Sequence, residues 1–141
     1  MKDLYNNLEV VSVLDPVVVS ATATHPDIDL AGFNSACLVV NCGRAAGTTL
    51  AVGHKFVFVL SDKAESTDSY AVVETADMLD LTVASGVVIT IDAVGEDNSI
   101  YKLGYVGGKR YLQLVCTKTG SPTIPLSIEC IKGHPLDSPV D

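Results

Sequence analysis

The chain has 141 residues, enough for one domain that buries roughly two-thirds of its unfolded surface. It is 48% hydrophobic, 18% charged and 6% aromatic, with no tryptophan, so its core must come from Val, Leu, Ile and Ala, the chemistry of packed sheets. A net charge of −8 argues against a general nucleic-acid binder, which needs Lys and Arg to displace counterions, and no segment approaches the ~20 apolar residues of a membrane helix.

Strand signals recur along the chain with turn signals between them. Residues 8–14 read as a strand broken by Asp15-Pro16, and 17–20 resume it. A polar loop over 21–26 leads into a strand at 33–41, followed by a Gly-rich segment over 42–48. Residues 50–60 form the next long strand, ended by the polar run SDKAESTDSY; 71–74 are short. Only 75–81 suggests a helical turn, through Ala76, Met78 and Leu79 near an acidic start. A strand at 86–91 meets an acidic turn at 92–98, and 123–132 close the domain. Eight or nine short antiparallel strands at near-regular spacing predict an all-β fold, a β-sandwich or jelly roll, in a single domain. Residues 1–7 and 133–141 then flank it as arms, the second held extended by Pro135 and Pro139.

The run IYKLGYVGGKRYLQLVCT, residues 100–117, carries the most information. Two β-rich segments flank Gly107-Gly108, which predicts a hairpin closed by a two-residue primed turn. Val106 would pair with Lys109, Tyr105 with Arg110, Leu103 with Leu112 and Tyr101 with Leu114. One face then holds Tyr101, Leu103, Leu112, Leu114 and Cys116; the other holds Lys102, Gly104, Tyr111 and Gln113.

The chain lacks the common marks of catalysis. It has no GxSxG elbow, phosphate loop or dinucleotide fingerprint, and GYVGG has no helix behind it to hold a phosphate. No enzyme activity and no cofactor is expected. His25, His54 and His134 do not pair with the cysteines at zinc spacing, and Asp92, Glu96 and Asp97 do not fit a calcium loop, so no metal site is expected. Alternation puts Cys37 and Cys42 on opposite faces of one strand, which rules out a bond between them. Two readings stay open for the thiols: Cys37, Cys42, Cys116 and Cys130 are all buried, or Cys42, beside the Gly-rich segment, lies near the surface and cross-links subunits. An interaction surface is read at Lys109-Arg110 with Tyr105 and Tyr111, which offer charge and flat aromatic area. A second is read at the tail around His134 and Pro135, since extended arms can add to a neighbour's sheet edge.

Three segments, MKDLYNNLEVVSVLDP at the start, residues 88–115 in the middle and IKGHPLDSPV near the end, together resemble small structural proteins of tailed bacteriophages encoded among the head and neck genes. The resemblance implies a virion component, made in the host cytoplasm, that decorates, cements or links the major capsid protein. It implies a homo-oligomer, a trimer first, and a lineage that hardens its particle through intersubunit disulfides at Cys42, Cys37, Cys116 or Cys130. The start of the chain lacks the apolar stretch of a secretory signal, which suits cytoplasmic synthesis with reduced thiols. A neck or collar component or spike near the portal is the alternative. A carbohydrate- or receptor-binding β-module is the third reading, weakened by the absence of tryptophan.

Overall fold

The computed structural model describes residues 3–137. They hold ten antiparallel strands in two sheets, and the all-β sandwich is as expected. In chain order these are β1 (Leu8–Val19), β2 (Ala23–Thr24), β3 (Ile28–Asp29), β4 (Phe33–Cys42), β5 (Lys55–Lys63), β6 (Ala71–Val72), β7 (Val87–Ile91), β8 (Ile100–Tyr105), β9 (Tyr111–Thr119) and β10 (Ile124–Pro135). A four-stranded sheet has the order β1-β10-β4-β8. The other centres on β9 and β5, with β2 and β3 along the free edge of β9 and β6 and β7 along that of β5. With β2/β3 and β6/β7 each taken as one interrupted strand, both sheets have four strands. The chain then changes sheet at every step except β5 to β6/β7. That is the double Greek-key order of a jelly roll.

Alternation builds the core. Leu38 and Val40 of β4, Phe56, Phe58 and Leu60 of β5, Leu112 and Leu114 of β9, and Ile124 and Ile128 of β10 are fully buried between the sheets. Each such side chain contributes roughly 1.5–3 kcal/mol relative to exposure.

Residues 100–117 depart from the expected hairpin. β8 pairs with β4, placing Leu103 beside Leu38, while β9 pairs with β5 along its whole length, from Lys63↔Tyr111 to Lys55↔Thr119. The segment between them crosses from one sheet to the other, and neither Gly107 nor Gly108 has a positive φ. The inward set was correctly identified: Leu103, Leu112, Leu114 and Cys116 are buried and Tyr101 is half-buried. They belong to opposed sheets, because period-two alternation specifies which side points inward and leaves the partner strand open. Gly107 has a different role from the one expected: a Cβ there would collide with the Tyr105 hydroxyl, so its small size lets the Tyr105 ring fold over the backbone.

Smaller differences have local causes. Strand β1 continues through Asp15-Pro16 with register irregularities between Ser12 and Val17, which an edge strand tolerates because its outer N–H row needs no partner. The expected loop at 21–26 runs into two short strands, β2 and β3. The helical turn at 75–81 reduces to a 3₁₀ turn at Thr75–Asp77, after which Met78 bridges to Tyr105. The expected strand at 50–60 is shifted, because Ala51 and His54 exchange backbone hydrogen bonds in a tight turn and β5 begins only at Lys55.

At the C-terminal end, β10 extends three residues into the segment read as an arm. Gly133 pairs with Leu8 and Ser35, and Pro135 with Phe33. The remainder of that segment beyond Asp137, and residues 1–2 of the other arm, lie outside the described residues. The Leu8↔Gly133 pairing brings both ends of the sheet-forming chain to one end of the sandwich.

Candidate functional site

That end of the molecule is where the sequence-identified surface residues gather. A groove of about 340 Å³ is lined by Phe33, Asn34 and Ser35 on one side and by Tyr105, Lys109 and Arg110 on the other. His134 joins it through Ser35, whose Oγ lies 2.8 Å from His134 Nδ1, and Asn34 donates a hydrogen bond to the His134 carbonyl. His134 is held at φ +52°. Pro135 lies beside Phe33 in the sheet register. The two patches read separately in the sequence therefore meet at one site.

Their members play unequal parts. Tyr105 is only 2% exposed, a correction to its reading as an interface residue. Its hydroxyl donates to Asp62 Oδ2 at 2.8 Å and accepts from the Lys109 N–H at 3.2 Å. Burial, followed by the bond to Asp62, pushes its phenol well above the usual range. Arg110 grips Asp29 with two hydrogen bonds, Nε to Oδ1 at 2.8 Å and Nη2 to Oδ2 at 2.7 Å. Its guanidinium lies 4.9 Å from the centre of the Tyr111 ring. The hydrogen bonding from Arg110 holds the Asp29 carboxyl down at about 2 against the opposing effect of burial.

Beside this pair lies a cluster that sequence reasoning missed. Lys63 sits with its ammonium 4.3 Å from the Tyr70 ring centre and 5.5 Å from that of Tyr111. It also forms a 3.4 Å ion pair with Asp27. The available signal was the alternation of Asp27 and Asp29 about Ile28, which marks a short strand with two outward acids. Lys109 and Arg110 are exposed and Tyr111 is half-exposed, so the cluster presents cation, carboxylate and aromatic faces to solvent, a composition suited to contact with another protein surface.

The thiols divide cleanly. No disulfide joins them. Cys42 is 2% exposed, and Cys116 and Cys130 are fully buried. Burial pushes their thiols up to about 12, about 12 and about 11 respectively. Cys42 as a surface cross-linker is thereby corrected: it is the last residue of β4 and ends its inward row Ala36, Leu38, Val40, Cys42. Cys37, on the opposite face, is partly exposed.

The acidic turn is self-satisfied. Glu96 Oε2 accepts from the N–H groups of Asp92 and Ala93, at 2.8 and 3.0 Å, and Asp97 accepts from Ala45 and Gly95. A further cavity of about 590 Å³ lies between residues 44–50 and 94–99, with Arg44, Thr48, Thr49, Asp97 and Asn98 among its polar lining. No helix among the described residues is long and apolar enough to cross a membrane. No protein-family model matches the chain, and a search of curated proteins finds no relative by sequence.

Proposed function

We propose that this chain is a non-enzymatic structural component of a tailed-phage particle, which decorates, cements or links capsid subunits as a symmetric homo-oligomer. The observation that carries this reading is the jelly-roll strand order, an architecture that viral capsid domains share with lectins. The groove lined by Lys109 and Arg110, which His134 joins through Ser35, supports it as an attachment point. Arms and groove together give several contacts per subunit. On a repeating lattice each later contact forms at high effective concentration, so weak contacts sum to stable attachment to the major capsid protein. Purified protein added to assembled shells lacking it is expected to co-sediment and saturate at a fixed ratio to the capsid protein. Failure to bind shells at micromolar concentration would refute the reading.

A carbohydrate-binding module draws on the same architecture and on the polar cavity near Arg44 and Asn98. The lining of that cavity contains no aromatic ring to stack on a sugar face, so the capsid reading is preferred. Binding to a glycan array, with no binding to shells, would reverse that preference.

A further inference from the structure

The outward face of the four-stranded sheet carries an apolar stripe with one acid and one base in the row beside it. Register defines its rows. One row runs Val10, Ile131, Cys37, Gly104 across β1, β10, β4 and β8; the next runs Ser12, Glu129, Val39, Lys102. Beyond β8, Leu79 donates its N–H to the Gly104 carbonyl at 2.9 Å. Its side chain leans over that glycine, with Cδ1 3.1 Å from where a Cβ would stand. Val10 is 61% exposed and Leu79 59%, and Ile131, Cys37 and Val39 are partly exposed between them. The stripe is therefore continuous across the sheet, the kind of patch that marks an interaction site.

We infer that this face pairs with the same face of a second copy about a two-fold axis running along β4. Such an axis exchanges the places of β10 and β8. Glu129 then lies over Lys102 of the partner subunit, and Lys102 over Glu129 of the partner subunit. Ile131 fills the space above Gly104 of the partner subunit, beside Leu79 of the partner subunit. Cys37 and Val39 meet their own counterparts on the axis. Glu129 and Lys102 have no ion-pair partner among the described residues, so each charge is available. Strands about 4.8 Å apart and about 3.4 Å of rise per residue give a footprint of roughly 500 Å² per copy, at the small end of specific interfaces. The pair makes a two-fold unit in place of the expected trimer. The inference holds whether or not the chain belongs to a virion.

Sedimentation velocity over a concentration series tests it, with circular dichroism confirming the fold of each variant. Wild type is expected to pass from monomer to dimer. Lys102→Glu and Glu129→Lys should each weaken dimerisation at least tenfold, and the double variant K102E/E129K should restore it, which no folding defect imitates. A short bis-maleimide should join wild-type dimers through Cys37 and fail with Cys37→Ser. A monomer at every concentration up to about 100 µM, equivalent to binding weaker than about 5.5 kcal/mol, would overturn the inference. So would a trimer, or a dimer indifferent to the charge exchange. Shell binding by any of these species would leave the virion reading intact.

Discussion

Tyr105→Phe isolates the polar tie between the two sheets. Tyr105 ends β8 in one sheet, and Asp62 lies near the end of β5 in the other. The two are 2% and 6% exposed, so water does not readily replace a lost partner. The variant keeps the ring and its packing. It removes the hydroxyl that donates to Asp62 Oδ2 and accepts from the Lys109 N–H. A hydrogen bond to a charged group contributes about 1.5–3 kcal/mol net, and stranding a buried acceptor adds to the loss. The expected destabilisation is therefore about 3 kcal/mol. For a domain of this size that corresponds to a fall of roughly 10 °C in Tm. Urea unfolding should show a lower midpoint with an unchanged slope. Tyr111→Phe is the control, because its contribution lies in its ring, and it should cost less than ~0.5 kcal/mol. A double-mutant cycle with Asp62→Asn should give a coupling above ~1 kcal/mol. A Tyr105→Phe loss below ~0.5 kcal/mol, or no coupling, would refute the account of this tie.

The other predictions concern thiols, chain end and acid. At a dilution that keeps the chain monomeric, one thiol, Cys37, should react promptly with a disulfide reagent at pH 8, and the remaining three only after denaturation; two or more prompt thiols would contradict the burial of Cys42, Cys116 and Cys130. Removing 133–141 strips the Gly133 and Pro135 pairings and should cost about 2–4 kcal/mol more than removing 137–141 alone, through lost backbone bonds; equal stability of the two truncations would be inconsistent with β10 ending at Pro135. His25 is buried, and desolvation lowers its pKa below 6.5, so the unfolded chain takes up the proton first. Stability from this group is intact above pH ~6.5 and falls as pH drops through that value; His25→Gln should flatten this part of a Tm-versus-pH curve. A second loss should follow as pH falls from about 3.9 toward 2, where Asp29 is protonated and releases Arg110.

Much of the fold was legible because burial imposes period two on strands. The inward residues of β4, β5, β9 and β10 can be read from alternation alone, and so can the placement of Cys37 opposite Cys42. Pairing was not legible. Gly107-Gly108 carries the composition of a hairpin turn, yet β8 and β9 separate because β4 and β5 offer longer partners in opposed sheets. The site was half legible: Lys109, Arg110, Tyr111, His134 and Pro135 do converge on one end. Tyr105 was misplaced because a tyrosine at a strand end reads as exposed unless its acceptor is known, and Asp62 is 43 residues away. Lys63 and Asp27 escaped notice for the same reason, since ion pairs across a sheet leave no trace in local spacing.

The central claim, a structural place in a phage particle, is tested most directly by quantitative mass spectrometry of purified virions, counting this chain against the major capsid and portal proteins. The account predicts a copy number comparable with that of the capsid protein. A number near that of the portal would move the chain to the neck and contradict a role spread over the shell, and absence from the particle would contradict the virion assignment itself.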